Sequence, residues 1–169
     1  GLANSFALLA ESNIVMVFIG LIAFEIPRYF LATLALFFTR APKRSLNPPA
    51  NVSVSVVVSV HNGAPRLMSC LESVRGQSLP PIEVIVVNDG SIDQTQEVAE
   101  RARARGLITR LIRHGTRCGK SAALNHAFRF ARGTLVLVID DDTNLAPHAI
   151  RELASAFNDE KVAVASGNL

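Results

Sequence analysis

The chain has 169 residues, of which 49% are hydrophobic, and its mean hydropathy of +0.30 is high for a soluble protein. Its formal net charge is only +3, and it contains one Tyr and no Trp, so a basic surface interleaved with aromatic side chains is lacking and no nucleic-acid partner is expected. The two cysteines form no CxxC pair and the four histidines lack zinc-ligand spacing, which argues against a disulfide framework and a zinc site.

The first predicted element is an apolar segment, residues 14–38, whose only charged side chains are Glu25 and Arg28. As one helix it would be about 37 Å long, enough to cross a bilayer with tilt. Glu25 and Arg28 are three residues apart and are expected to pair on one helix face, while Pro27 is expected to kink the helix. A buried hairpin of two short apolar halves is the alternative.

The segment after this helix is basic and then rich in proline. Its basic side chains and its prolines are Arg40, Lys43, Arg44, Pro48 and Pro49. Basic residues beside a span predict the cytoplasmic side, and adjacent prolines predict a semi-rigid spacer. We therefore expect a membrane-anchoring segment over residues 1–40, which would lie in the cell (inner) membrane. A linker over 41–51 and a cytoplasmic domain over 52–169 would follow it. The intramembrane charge pair is also suited to contact other membrane subunits.

Beyond residue 51 the sequence alternates between predicted strands and predicted helices. β-Branched and apolar runs predict strands over 52–60, 82–89, 107–113, 134–140 and 162–166. The first helix begins near Pro65, and its buried face carries Leu67, Cys70, Leu71 and Val74. This alternation predicts an α/β fold with a mostly parallel sheet and helices on both faces.

The remaining helices carry signals at their ends. Ser91 and Gln94 resemble a capping box at the start of the second helix, and Gly106 is expected to form a left-handed cap at its end. The third helix places Ala123 and Ala127 on one face and is expected to run to Gly133. The last helix is marked by an apolar face over 150–157.

Polar clusters follow three of the predicted strands, which is where ligands bind in parallel sheets. They are His61-Asn62-Gly63, Asn88-Asp89-Gly90-Ser91 and Asp140-Asp141-Asp142-Thr143. Each cluster also has a plainer interpretation. His61 can satisfy a strand-end carbonyl, Asp89 can be a turn residue before glycine, and Asp142 can cap the next helix. The recurrence of all three at one sheet edge favours a binding site.

A fourth segment, RHGTRCGKSAALN over residues 113–125, looks like the end of a phosphate-binding P-loop. That motif needs a glycine five residues before Gly119, but His114 stands there and Gly115 comes one place too late. A P-loop-like nucleotide hydrolase, dependent on Lys120 but not on Asp89, remains an alternative. A lysine at a helix start opposes the helix dipole, which indicates an anion nearby.

Three consecutive carboxylates repel one another, and this favours a bound cation at residues 140–142. At an extended strand end Asp140 and Asp142 point to one side and Asp141 to the other. Their hard oxygens suit Mg²⁺ or Mn²⁺, and such an ion stabilises a diphosphate as a leaving group.

Four segments together resemble the N-terminal half of the family 2 glycosyltransferases, which have the GT-A fold. They are VSVVVSVHNG, IEVIVVNDGSID, GKSAALNHAF and LVLVIDDDT, in this order, and the resemblance covers roughly residues 52–169. With the apolar segment in front, the chain is similar to the membrane-bound members that build polysaccharides. The resemblance implies a metal-dependent, inverting transfer from a nucleotide sugar, with UDP favoured, to a polysaccharide or lipid acceptor.

The resemblance also implies roles for individual residues. His61 would lie against the nucleoside, Asp89 would accept a hydrogen bond from the base or ribose, and Lys120 would contact the nucleotide. Asp140 and Asp142 would hold the metal, with Asp140 also at the nucleotide sugar.

Two features depart from the family pattern or lie outside this sequence. Asn88 stands where the family commonly has an acid. The family's catalytic base is an acid on a later segment, so it is expected beyond Leu169 and no catalytic residue is assigned here. A non-catalytic, membrane-tethered nucleotide-binding subunit is therefore a further alternative.

Overall fold

The computed structural model describes residues 2–38 and 47–167. The chain divides into two units, Gly1–Lys43 and Arg44–Leu169, which are described separately. Within the described residues the elements are α1 (Leu2–Phe38), β1 (Val54–Val60), α2 (Ala64–Arg75), β2 (Glu83–Asp89), α3 (Thr95–Ala104), β3 (Arg110–His114), α4 (Lys120–Phe128), β4 (Leu135–Asp140), α5 (Ala149–Ser155) and a 3-10 turn (Ala156–Asn158).

In the described part of the N-terminal unit, residues 2–38 form one helix, α1, which continues through Pro27. Its stretch Ile14–Ala35 is long and apolar enough to cross a membrane, and none of it is buried within the structure. The expected pairing is confirmed, because the Arg28 guanidinium lies 3.2 Å from the Glu25 carboxylate. The alternative of a buried hairpin is wrong, because the segment is one unbroken helix with exposed apolar side chains. The basic residues predicted to follow it, at 40, 43 and 44, lie outside the described residues.

The second unit is built on a four-stranded parallel sheet with the order β3-β2-β1-β4. Val57 of β1 lies opposite Ile85 of β2 on one side and Val138 of β4 on the other. The β-branched run in β1 is explained by this position, because β1 is flanked by strands on both sides and covered by helices on both faces. Each fully buried Val contributes about 1.5–3 kcal/mol.

Alternate residues of the strands face two separate cores. Val56 and Val58 face a cluster that includes the buried sides of α2 and α3 and Ile150 of α5. Val57 and Ile85 face the other cluster, together with Ala123 and Ala127 of α4. The predicted α/β fold with helices on both faces is confirmed, and so is the buried face of α2, including Cys70.

The strand order places a topological switch point between β1 and β4. From β1 the chain builds outward through β2 to β3, and then crosses on the α4 face to β4 on the opposite side of β1. The chain therefore adds strands first on one side of β1 and then on the other, and ligands bind at the carboxyl ends of the strands where the order reverses in this way. The polar clusters identified in the sequence follow β1, β2 and β4.

The start of β3 is later than expected because the preceding turn uses the residues assigned to it. Gly106 adopts φ +72°, which confirms the left-handed cap. Its N–H donates to the Arg103 carbonyl at 2.9 Å, and the Leu107 N–H donates to the Ala102 carbonyl at 3.0 Å. These two bonds form a Schellman motif, and the strand begins only at Arg110.

The expected capping box is wrong. Helix α3 begins at Thr95 without a side-chain cap from Gln94, and the Ser91 hydroxyl accepts a hydrogen bond from the Asn62 N–H instead. Asp93 serves the helix start, since its carboxylate accepts from the Thr95 N–H at 3.1 Å. Burial raises the pKa of Asp93, but hydrogen bonds from Thr95 and other donors outweigh this and hold it below its ordinary value.

Helix α4 ends at Phe128, five residues before the predicted stop at Gly133. The chain is drawn away from the helix by the buried carboxylate of Glu83, which accepts from the Arg132 N–H at 2.6 Å and from the Ser55 hydroxyl at 2.6 Å. Burial raises the pKa of Glu83, but these hydrogen bonds and the Arg132 charge outweigh it, so the pKa is lowered.

The strand predicted over 162–166 is not formed. Residues 162–167 have no regular structure, and Val164 is 85% exposed. The Val162 N–H donates to the Asp159 carbonyl at 2.9 Å, so it is used in a local turn and not in pairing with a strand. Within the described residues, β4 therefore has a paired neighbour only on its β1 side.

Candidate functional site

A pocket of about 200 Å³ opens at the carboxyl ends of the strands. It brings together the four residues predicted to bind a nucleotide sugar, His61, Asp89, Lys120 and Asp140, and it adds Arg117. Asp142, the second predicted metal ligand, is exposed on the turn that follows. Residues from β1, β2, α4 and β4 thus converge on one polar cavity, as their strand-end positions predict.

A second cavity, of about 270 Å³, lies between β4, α5 and residues 163–165. Its lining is apolar apart from Thr134. It lacks the convergent polar groups that fix a ligand and perform chemistry. The strand-end pocket is therefore the candidate site.

The buried carboxylate of Asp89 holds the loop that forms one wall of this pocket. Its Oδ1 accepts from the Cys118 N–H at 2.9 Å and from the His114 ring at 2.8 Å, and its Oδ2 accepts from the Gly119 N–H at 2.8 Å. Burial raises the pKa of Asp89, but these hydrogen bonds outweigh that effect and hold the pKa below its ordinary value. The carboxylate is therefore charged at neutral pH.

The same contacts distinguish this loop from a P-loop. A P-loop donates its main-chain N–H groups to phosphate, whereas here the N–H groups of Cys118 and Gly119 donate to Asp89. The P-loop interpretation is not supported by this geometry.

Glycines allow the loop to approach the end of β2. Gly90 has φ +63°, and a Cβ at this position would overlap the main chain of Thr116 and Arg117. Gly119 has φ +92° and immediately precedes Lys120, the first residue of α4. The loop over 115–119 therefore packs closely against the end of β2, and Lys120, which follows the loop, lies in the pocket.

Lys120 and Asp140 form an ion pair across the pocket, with 2.5 Å between Nζ and Oδ1. Both side chains remain about half exposed, at 56% and 51%. The lysine ammonium thus occupies a position beside a carboxylate that was predicted to hold a metal.

Two of the three consecutive acids, Asp140 and Asp141, point to different sides of the strand end, as alternation along a strand predicts. Asp141 turns to the α2 side, where its Oδ2 accepts from Arg66 Nε at 3.2 Å and Nη2 at 2.9 Å, while Asp140 faces Lys120. The acids create a negative field at the end of β4. The pKa of the Cys70 thiol is raised to about 12, chiefly by burial and in addition by the charges of Asp141, Asp142 and Asp140.

His61 bonds a main-chain carbonyl at a strand end, which is the plainer of the two roles considered for it from the sequence. Its Nδ1 donates to the main-chain carbonyl of Asp89 at 2.8 Å, and its ring also lines the pocket. The next residue, Asn62, adopts φ +52° and accepts from the Ile92 N–H at 3.0 Å. The loops after β1 and β2 are therefore fastened to each other.

Asn88 is 1% exposed and holds the turn after β2. Its Nδ2 donates to Gln96 Oε1 at 2.8 Å, and its Oδ1 accepts from the Ser91 N–H at 3.1 Å. An amide supplies both a donor and an acceptor here, which explains how Asn serves at a position where an acid was expected.

Sequence reasoning missed His114 and His126. The Nε2 of His114 lies 3.0 Å from the Nδ1 of His126, and the two rings are stacked with centroids 5.3 Å apart. Asp89, His114 and Cys118 each have a side-chain atom that could bind a metal ion, and these three atoms lie within 4.8 Å of one another. No local spacing signalled these contacts, because they join β2, β3 and α4.

Comparison with known proteins gives consistent matches. The pattern of the family described as Glycosyl transferase family 2 matches residues 55–169. A hyaluronan synthase of Streptococcus pyogenes serotype M3 is 31% identical over 156 residues, covering 89% of this chain and 37% of that protein.

Two solved structures share the fold. The mannosyltransferase PcManGT from Pyrobaculum calidifontis, in complex with GDP-Man and Mn²⁺, superposes with a TM-score of 0.70 at 26% identity, covering 85% of this chain and 43% of that one. S. aureus TarS 1-349 in complex with UDP gives 0.56 at 27% identity, covering 63% and 32%. The chain spans 26–37% of the length of the curated relatives that it is similar to.

Replacing Gly90 with alanine is expected to destabilise the domain by about 2 kcal/mol or more. The positive φ alone costs about 1 kcal/mol, and the new Cβ also overlaps the main chain at Arg117. Gly106→Ala is the matched control, because Gly106 also has a positive φ, of +72°, but an alanine Cβ there would have no neighbouring atom within 4 Å. Denaturant unfolding in detergent measures both, and equal losses would show that the close approach at Gly90 adds nothing.

The stability of the domain is expected to fall with acid because the pKa of Asp89 is lowered on folding. The stabilisation is complete above the ordinary carboxyl pKa of about 4 and is lost as pH falls through the lower folded value. Asp89→Asn should therefore flatten the decline in unfolding free energy between pH 6 and pH 3, whereas the exposed control Glu160→Gln should not. An unchanged slope in Asp89→Asn would contradict this assignment.

Proposed function

This chain belongs to glycosyltransferase family 2, and we propose on that basis that its strand-end pocket binds a nucleotide-sugar donor. The whole protein would transfer the sugar to a polysaccharide or lipid acceptor, with inversion and with a catalytic base on a segment beyond residue 169. The observation that carries the proposal is the convergence of Lys120, Asp140, His61 and Asp89 on one pocket at a sheet switch point.

Lys120 is proposed to bind the diphosphate, since its ammonium is half exposed in the pocket and sits at the start of α4. Arg117 lies in the same lining and adds positive charge. His61 is proposed to lie against the nucleoside. Asp89 is proposed to serve the donor at the base or ribose and, through its hydrogen bonds to the loop, to set the position of Lys120.

Asp140 and Asp142 are proposed to hold Mg²⁺ or Mn²⁺. The donor set fits a hard cation, because both carboxylates are exposed at the strand end and the Asp140 carboxylate already accepts a cationic ammonium. When bound, the ion would neutralise charge on the diphosphate leaving group.

We further propose that α1 anchors the protein in the cell membrane, with the catalytic domain on the cytoplasmic side. The support is the uncovered apolar stretch Ile14–Ala35 and the basic residues that follow it in the sequence. The proposed organisation is an anchor over 1–40, a linker over 41–51 and the donor-binding part of the transferase over 52–169.

Calorimetric titration of the full-length protein in detergent with UDP and GDP, with and without Mn²⁺, tests donor binding. Lys120→Met is expected to weaken binding at least tenfold, because a charge-assisted contact to phosphate is lost, and Asp142→Asn should remove the dependence on Mn²⁺. Lys161→Met and Glu160→Gln, both exposed, are the matched controls and should bind like the wild type.

Sugar transfer from the nucleotide sugar that binds tests the enzymatic part of the proposal. Binding of neither nucleotide by the folded protein would sink the proposed site. Binding without transfer by the full-length protein would identify a non-catalytic nucleotide-binding subunit. Preference between UDP and GDP decides the donor class, with UDP expected.

The ion pair between Lys120 and Asp140 leads to a separate expectation for metal binding alone. Removing the ammonium in Lys120→Met frees the Asp140 carboxylate, so Mn²⁺ should bind severalfold more tightly in the absence of nucleotide. Electron paramagnetic resonance of free Mn²⁺ measures this, with Lys161→Met as the control. Unchanged or weaker Mn²⁺ binding would show that Lys120 and the metal do not compete for Asp140.

A further inference from the structure

A chain of polar side chains runs from the buried Asp89 outward through His114 to His126. Asp89 Oδ1 and His114 Nδ1 are 2.8 Å apart, and His114 Nε2 and His126 Nδ1 are 3.0 Å apart. The side chain of Asp89 is 5% exposed and that of His114 is 12% exposed. Asp89 and His114 are shielded from water, so the hydrogen bond between them is not readily replaced by solvent.

Donor and acceptor roles fix the proton position at the inner bond of this chain, between Asp89 and His114. A charged carboxylate only accepts, so His114 carries its proton on Nδ1. The short contact between His114 Nε2 and His126 Nδ1 needs one proton, carried by either ring, because two protons would repel and none would leave two lone pairs facing each other. Each histidine thus depends on the other for its hydrogen bond.

The same contacts tie both ends of the loop 115–119 together. His114 is the last residue of β3, directly before the loop, and His126 lies in α4, which begins directly after it. Asp89 holds His114 at one end of the loop and the Cys118 and Gly119 N–H groups at the other.

The outer ring of the pair is supported by neighbouring side chains. His126 packs against Phe130 with ring centroids 5.8 Å apart, and the Arg110 guanidinium lies 4.4 Å from the Phe130 ring centroid. The neighbouring Ala123 and Ala127 are fully buried against the sheet. His126 therefore stands on a docked helix face and has a defined orientation.

We propose that His114 and His126 are positioning residues that set the place of Lys120 in the donor pocket, acting through Asp89 and the loop. Lys120 is the first residue of α4 and directly follows Gly119. Any change in the loop closure moves the ammonium relative to Asp140 and to a bound diphosphate. The inference rests on the proposed donor site, because its effect is felt through Lys120.

Conservative and non-conservative variants of His126 separate a positioning role from simple packing. His126→Asn places an amide N–H near the Nδ1 position and should restore the bond to His114, whereas His126→Leu keeps the volume and loses the bond. We expect His126→Leu to weaken nucleoside diphosphate binding by about three- to tenfold, the range for one hydrogen bond. Binding by His126→Asn should stay within about twofold of the wild type.

A double-mutant cycle with Lys120→Met shows whether the effect passes through the lysine. On the Lys120→Met background, His126→Leu should cause no further loss of nucleoside diphosphate binding. Full additivity, equal losses in His126→Asn and His126→Leu, or unchanged diphosphate binding in His126→Leu would each overturn the proposal. Titrations use the full-length protein in detergent.

Amide hydrogen exchange tests the loop independently of any ligand. In His126→Leu the Cys118 and Gly119 amides should exchange about tenfold faster, while in His126→Asn they should exchange as in the wild type. If the wild type binds no nucleotide, the proposed function fails, and the exchange rates still decide whether the two histidines hold the loop. Unchanged exchange in His126→Leu would show that they do not.

Discussion

The buried carboxylate of Asp89 is the interaction on which the site depends. A buried charge is tolerated only when it is fully hydrogen-bonded, and Asp89 meets this requirement by drawing in Cys118, Gly119 and His114. The loop after β3 is consequently ordered by an acid that belongs to the neighbouring strand β2. Without the Asp89 carboxylate, the N–H groups of Cys118 and Gly119 would lie at the sheet edge without this acceptor.

Contacts between loops extend this organisation across the carboxyl edge of the sheet. The N–H groups at the start of α2 donate to side chains at the start of α3, from Gly63 to Thr95 at 3.0 Å and from Ala64 to Asp93 at 3.2 Å. Arg66 of α2 in turn holds Asp141 after β4. The parallel sheet brings the loops to one edge, and these polar bonds then give the edge a defined shape.

Much of this arrangement could be predicted from the sequence, because the signals were local. The runs in β1 and β2 and the face of α2 follow from periodicity, and His61, Asp89, Lys120 and Asp140 follow from their places at strand or helix ends. Three features could not be found in this way. The His114–His126 contact needs β3 and α4 to be packed together, and the bend before Gly133 depends on Glu83 from another strand. The hydrogen bond from the Ala64 N–H to Asp93 joins two loops that are far apart in the sequence. The strand expected over 162–166 requires a partner, and an apolar run alone does not supply one.

The ion pair between Lys120 and Asp140 means that this pocket carries its own counterion. On the proposed function, a bound phosphate draws the lysine away from the carboxylate, and the carboxylate then binds a divalent ion more readily. Each ligand therefore removes the obstacle to the other, and their binding free energies are coupled, reciprocally and by the same amount. A pocket built in this way binds each ligand more tightly when the other is already present.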